Sequence, residues 1–208
     1  MQSITSTKNP TVQWARALQK KAARDESRLF LCEGEHMAGE ALHAGAASAV
    51  FVDEALAPRF AALLSLAQAD CPVYAVPSHV LAALSLVKTP QGIVAVARQP
   101  ARATIDALGD RVLVLEDVQD PGNVGTLLRT LDAAGFTGCL LAGACADPFG
   151  DKALRATMGS VFRVPLCFVP CAAQAVSALT ARGYAAYAAV LSGTPYYQRA
   201  AAEEKLCL

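Results

Sequence analysis

At 208 residues the chain has room for one large domain or two modest ones, and its 54% hydrophobic content, mostly Ala, Leu and Val, supplies ample core. Lys plus Arg number 18, as do Asp plus Glu, so no overall charge bias marks a nucleic-acid partner and only a local basic patch can serve one. No apolar run spans a bilayer, the start MQSITSTKNP has no apolar signal region, and the seven cysteines are odd in number with no CxxC pair. A soluble cytoplasmic protein with free thiols, no metal site and no membrane contact is expected.

Asn9-Pro10 reads as an N-cap with proline at the first helical position. The helix it opens is expected to reach about Arg24, with Val12, Ala15, Leu18 and Ala22 on one face. Between Met1 and Phe30 there are six Lys or Arg against two acids. Arg16, Lys20, Lys21 and Arg24 therefore suit either a solvated helix face or a surface that contacts nucleic-acid phosphates. Short elements then alternate. Leu29 to Cys32 reads as a strand ended by Glu33-Gly34, then helix 35–44, strand 50–52, helix 59–69 and strand 73–76. A helix capped by Ser78 and running to Leu86 follows, and strand 92–97 closes the set. This alternation predicts a layered α/β unit over residues 1–98.

RQPARATIDALGD, from Arg98 to Asp110, breaks the pattern with Pro100 and Gly109 and reads as an interdomain linker over 99–110. From Arg111 the alternation restarts with strand 112–116, helix 123–134, strand 138–142 and a helical segment 151–159. Strand 164–169, helix 171–181 and strand 184–190 come next. SGTPYYQRAAAEE (192–204) reads as loop or poor helix, and Lys205-Leu206-Cys207-Leu208 as the opening of another buried strand. Domains seldom end in the first residues of a core strand, so the 208 residues are expected to be less than the whole functional unit.

The most informative stretch is Asp117 to Gly135, DVQDPGNVGTLLRTLDAAG, behind the apolar strand Val112–Leu115. Asp120-Pro121-Gly122-Asn123 makes a sharp turn, Val124, Leu127, Leu128, Leu131 and Ala134 recur at helical spacing, and Gly135 stops the helix. Strand, tight polar loop and helix place backbone N–H groups, Asn123 and Arg129 near the carboxyl end of a strand, where open α/β sheets bind ligands. The loop is not GxGxxG and no acid follows at the right distance, which argues against a nicotinamide site. Asn123 and Arg129 are six apart, so they share a site only if Asn123 sits in the loop or cap. Taken singly, they also read as an N-cap asparagine and a solvent-facing arginine. In ADPFGDKALRATMGSVFRVP (146–165), Lys152 and Arg155 share a helical face, with Gly159, Ser160 and Arg163 beyond. That suits an extended anionic ligand, with lysine as point charge and arginine as fork, or a short helix whose basic residues are solvated. His36, His43 and His79 all lie in the first half, so a histidine-based mechanism in the second is not expected.

Together these segments resemble the SpoU (TrmH) family of RNA ribose 2′-O-methyltransferases, within the SPOUT superfamily. The matching motifs are Leu115 to Gly125, Leu128-Arg129-Thr130 and Ala133-Ala134-Gly135, supported by Lys152 to Pro165. The first half, from Ile4-Thr5-Ser6 with Asn9-Pro10 through Phe30 to Gly34, is similar to that family's L30e-like substrate-binding domain. The resemblance implies an α/β fold with an L30e-like RNA-binding domain at 1–98 and a SPOUT-type methyltransferase domain at 111–208. In the family the latter is trefoil-knotted, binds S-adenosylmethionine and works as a cytoplasmic homodimer on ribosomal or transfer RNA.

Carried over, Arg129 and Asn123 are the catalytic pair. Lys152 and Arg155 position RNA, together with Arg16, Lys20, Lys21 and Arg24 of the basic first helix. Two further family motifs, a glycine- and glutamate-bearing loop and a Pro-Met…Ser-Leu-Asn segment, are absent, so the cofactor residues are expected beyond Leu208. The 208-residue chain is accordingly expected to bind S-adenosylmethionine weakly or not at all. The alternative is a non-catalytic RNA-binding protein that uses the basic N-terminal face. A small-molecule α/β enzyme is the weaker third reading, because no nucleophile–base pair is visible.

Overall fold

Residues 1–195, 198 and 204–208 are described by the computed structural model, and the expected loop at 192–204 falls partly outside them. The first lobe contains β1 (Gln2–Ser3), α1 (Pro10–Ala17), α2 (Lys21–Ser27), β2 (Leu29–Glu33) and α3 (Gly34–His43). It continues with β3 (Ala47–Asp53), a 3-10 turn (Ala57–Phe60), α4 (Ala61–Leu64), β4 (Val73–Val76), α5 (Ser78–Leu84) and β5 (Ile93–Arg98). Its sheet has the order β1-β4-β3-β5-β2, with β1, β4 and β3 parallel and β5 antiparallel to both β3 and β2. The second lobe contains β6 (Arg111–Glu116), α6 (Pro121–Ala133), β7 (Gly138–Ala142), α7 (Asp151–Thr157), β8 (Leu166–Val169), α8 (Ala172–Thr180), β9 (Ala185–Ala186) and β10 (Leu206–Cys207). Its five strands run parallel in the order β8-β7-β6-β10-β9.

The first helix differs most from expectation. Asn9 does cap it, its Oδ1 accepting from Thr11 N at 2.8 Å, and Val12 and Ala15 are fully buried. The helix then breaks at Leu18–Lys20, without proline or glycine, into α1 and α2. Arg24 explains the break. Its Nη1 donates to the carbonyls of Leu18 at 2.9 Å and Gln19 at 3.0 Å, replacing the helical partners those groups lose. Ser78 is not a cap either: its hydroxyl donates to Oδ2 of the buried Asp53 at 2.5 Å. The expected helix 59–69 shrinks to the 3-10 turn and α4, where the Ser65 hydroxyl donates to the Ala62 carbonyl and competes with the helical ladder. Of the expected strand 184–190 only Ala185–Ala186 pairs, because its neighbour on the sheet is the short β10. That terminal strand is well seated. Leu206 N donates to Asp110 O at 2.8 Å, Leu208 N to Val112 O at 3.0 Å, and Cys207 is 1% exposed.

The two lobes share one continuous apolar core. Phe30 of β2 is fully buried, with ring centroids 5.1 Å from Phe149 and 5.6 Å from Phe162 of the second lobe. Charged pairs flank this seam. Arg24 meets Asp147 at 2.7 Å with both side chains largely buried, and Arg163 ties Glu40 of α3 to Asp132 of α6. Gly159, at φ 86, lies so close to Glu40 that a Cβ there would meet its carboxylate at 2.3 Å. The segment between the lobes is docked rather than loose: Gln99 N donates to Arg28 O, Ala103 N donates to Leu166 O, and Leu108 is buried.

A buried charge left without its partner costs about 3–5 kcal/mol. Arg24→Met strands both Asp147 and two backbone carbonyls, so it is expected to lower unfolding stability by roughly that amount, read from urea denaturation midpoints.

Candidate active site

In a parallel sheet, ligands collect outside the carboxyl ends of the strands where the strand order reverses. In the second lobe that point lies between β6, which leads through α6 to β7 on one side, and β10 on the other. The loop leaving β6 is held by two aspartates. Asp117 adopts a left-handed conformation, φ 51, rare for a non-glycine residue, and its Oδ1 accepts from Ala144 N at 2.6 Å. Gly143 leaves room for that carboxylate, since a Cβ on it would meet Asp117 Oδ1 at 2.4 Å. Asp120 caps α6, its Oδ1 accepting from Asn123 N at 3.0 Å while its Oδ2 accepts from Lys152 Nζ at 2.6 Å. Lys152 and the Asn123 amide together hold the Asp120 carboxyl below its ordinary pKa.

Helix α6 starts two residues earlier than expected, which changes the position of Asn123. It is in the first helical turn, exposed, and Asp120 is the cap instead. Asn123 and Arg129 are thus separated by about 9 Å along the helix and about 120° around it. They do not touch, and among the described residues the exposed Arg129 side chain has no hydrogen-bond or ion-pair partner. A ligand lying along the exposed side of α6 would meet both. An arginine side chain leans towards the helix N-terminus, which shortens the gap.

Helix α7 packs tightly on α6. Gly125 faces it so closely that a Cβ would meet Ala153 O at 2.2 Å and the Ala156 Cβ at 2.7 Å. This contact sets Lys152 and Arg155 beside the β6–α6 loop. Lys152 reaches Asp120, and Arg155 pairs with Asp151 of its own helix. Arg163, also exposed, pairs with both Glu40 and Asp132 and so bridges the lobes. Of the basic residues in the first lobe, Arg16, Lys20 and Lys21 are exposed, with Lys21 paired to Asp25 at 2.5 Å. Arg24 is the correction: at 8% exposure it is a pin inside the seam, not part of a surface. Three of the four phosphate-contact candidates thus remain available to solvent. All three histidines are exposed. Burial pushes the Cys32 and Cys139 thiols well up, which leaves them as packing groups. Among the described residues no cluster of His, Cys, Asp or Glu is placed to hold a metal ion.

The geometry is matched by known proteins. The SpoU rRNA Methylase family matches residues 110–208, and the MRM3-like substrate binding domain matches residues 9–95. The 23S rRNA (guanosine(2553)-2′-O)-methyltransferase RlmP of Bacillus subtilis is 35% identical over 199 residues, which cover 95% of this chain and 77% of RlmP. The chain belongs to the SpoU rRNA methylase family.

The crystal structure of an AdoMet-bound rRNA methyltransferase from Sinorhizobium meliloti superimposes with a TM-score of 0.82 at 30% identity, over 99% of this chain and 79% of that one. The mitochondrial rRNA methyltransferase 3A of Danio rerio is 34% identical over 71% of this chain, but the match spans only 35% of the longer protein. This SpoU chain has the SPOUT-type architecture, an N-terminal substrate-binding domain followed by the C-terminal methylase domain. The residues that fix the family's motif loop, Asp117 and Asp120, were not singled out from sequence. The only available signal was Asp120 directly before Pro121, a cap-and-proline start.

Two measurements check this site. Gly125→Ala forces α6 and α7 apart and is expected to cost about 1–3 kcal/mol in denaturation experiments. The Asp120 carboxyl is expected to titrate below the ordinary aspartate range by carbon-13 NMR and to move up towards it in Lys152→Met. Because its folded pKa is depressed, the Asp120 cap contributes its full stabilisation above the unfolded value of about 3.9 and loses it as pH falls through the lower folded value.

Proposed function

We propose that this SpoU protein transfers a methyl group from S-adenosylmethionine to a ribose 2′-hydroxyl of ribosomal or transfer RNA, working as a cytoplasmic homodimer. The observation that carries this reading is Arg129, an exposed guanidinium without a partner among the described residues, on the helix that leaves the switch point of a SpoU domain. The names of the relatives support it, since RlmP is a 23S rRNA 2′-O-methyltransferase and the Sinorhizobium structure is AdoMet-bound.

The residues present test the cofactor directly. At the switch point the chain offers Glu116, Asp117 and Val118 from the β6 side and Cys207 and Leu208 from β10. These groups carry no cation for a carboxylate and no aromatic face for an adenine. They do not by themselves fit S-adenosylmethionine, so no residue here is assigned to holding it. When bound, it would supply an electrophilic methyl carbon.

The RNA side can be derived from this chain. A 2′-hydroxyl is a weak nucleophile until its proton leaves to a backbone phosphate or to water, and that loss builds negative charge on its oxygen. Arginine does not give up a proton at ordinary pH, so Arg129 acts as a charged donor and not as a base. Its fork orients the hydroxyl and stabilises the developing alkoxide, the kind of preorganised electrostatics that often dominates catalysis. Asn123, exposed about one and two-thirds turns earlier, offers an amide to the same ligand. It is not needed to hold the loop, because Asp117 and Asp120 already do so. Lys152 and Arg155, with Arg16, Lys20 and Lys21 across the seam, supply positive charge for the RNA backbone.

Replacing Arg129 by lysine keeps the charge but removes the planar fork. In a radiolabelled methyl-transfer assay on ribosomal RNA, Arg129→Lys in the complete protein is expected to lower kcat by about 100-fold or more. Undiminished turnover defeats the assigned role.

A further inference from the structure

One recess is not used by the site described so far. A cleft of about 300 Å³ opens between the lobes, outside the carboxyl ends of β7 and β8, and its walls include Lys21, Arg28, Gln99, Arg102, Asp147 and Phe168. The charges of these walls are unequally matched. Lys21 is paired with Asp25, and Asp147 with Arg24. Among the described residues, Arg28 and Arg102 have no acid within ion-pair distance. Arg28 spends one donor on Pro100 O at 3.3 Å, and the Arg102 guanidinium lies over the Phe168 ring, 4.8 Å from its centroid. Two like charges thus converge on one recess: burial of Arg28, and then the field of Arg102, lower the Arg28 pKa, with Asp25 on the same wall opposing them.

The backbone contributes as well. Arg28 caps the C-terminus of α2 in the left-handed conformation in which helices commonly end, φ 58, its N–H donating to Arg24 O. Gln99, 9% exposed, holds the cleft floor by donating to Arg24 O at 3.1 Å, while its Oε1 has no donor. Arg102 belongs to the interlobe segment, which is held beside Arg28 by Gln99 N donating to Arg28 O and by Arg28 donating to Pro100 O.

Two unpaired guanidiniums beside an aromatic ring match a phosphodiester with a neighbouring base or sugar. Arginine forks take phosphate oxygens bidentately, and an arginine already stacked on a ring presents its edge in a fixed direction. The cleft lies two strands from the switch point and shares the Gly143–Asp147 wall with the β6–α6 loop, through the contacts Asp117–Ala144 and Ala146–Val118. We infer that this cleft binds a backbone phosphate of the RNA strand, outside the nucleotide that is methylated, through Arg28 and Arg102. This inference rests on RNA being the substrate.

The test is fluorescence anisotropy of the full chain with a short fluorescein-labelled single-stranded RNA of mixed sequence, across a salt series. The double variant Arg28→Gln/Arg102→Gln is compared with wild type and with Arg182→Gln. Arg182 follows α8, just ahead of β9 at the other edge of the sheet, and pairs there with Asp106. Thermal melting confirms that each variant is folded. The expected result is a roughly 10-fold weaker affinity for the double variant, with the slope of log K against log salt shallower by about 0.7 per lost phosphate contact. Arg182→Gln should match wild type. Wild-type affinity and an unchanged slope in a folded double variant overturn the cleft assignment and leave the RNA reading standing. An absence of RNA binding by wild type defeats both. A second arm separates the strand from a free nucleotide by thermal shift with millimolar adenosine monophosphate. A wild-type shift abolished in the double variant, with RNA affinity unaffected, assigns the cleft to mononucleotides and overturns the proposal.

Discussion

The seam between the lobes is the constraint on which the other features depend. Phe30 comes from the edge strand β2, its ring packs against Phe149 and Phe162 of the other lobe, and Arg24–Asp147 and Arg163–Glu40 close the rim. The apolar contact supplies the driving force and the ion pairs supply the register. A salt bridge this buried gains little net stability, because desolvation consumes most of the Coulomb term. Its effect is specificity, since another docking of the lobes would part Arg24 from Asp147.

That fixed docking matters because the basic groups sit on both sides of it. Lys152 and Arg155 belong to α7, which touches β2 across the seam. Arg16, Lys20 and Lys21 belong to the first lobe. Lobes free to rotate would hold these groups at varying distance, whereas a rigid seam fixes them relative to one another. Gly125 extends the same logic inwards. By letting α7 close on α6, it carries the seam's position through to the loop at the switch point and to the helix that bears Arg129.

Much of this was legible in the sequence. The alternation of short apolar runs with helical periods predicted every strand of both sheets to within a few residues, except that β1 went unnoticed and β9 is much shorter. Local patterns carry such information, because burial follows a period of two or 3.6. What failed was of another kind. The break between α1 and α2 has no proline or glycine to announce it. It follows from a side chain 123 residues distant in sequence, Asp147, drawing Arg24 inwards. Charge composition could not distinguish Arg24 from Lys20 or Lys21, since all are cations in one short stretch and only the packing of the second lobe separates them. Ser78 was misread for the same reason: its hydroxyl answers a buried carboxylate on another strand before it can answer its own helix.

The candidate site divides along the same line. The motif residues Asn123, Arg129, Lys152 and Arg155 are recognisable from their order in the chain. Their separation is not, because it depends on where α6 begins. Asp120 claims the cap, Pro121 takes the first helical position, and Asn123 is carried into the helix and away from Arg129. The two side chains are accordingly not hydrogen-bonded to each other in this structure. On the reading proposed above they would serve as two separate contact points along a ligand. Spacing that looked awkward for a compact catalytic dyad becomes reasonable once the partner is an extended polymer lying along the helix.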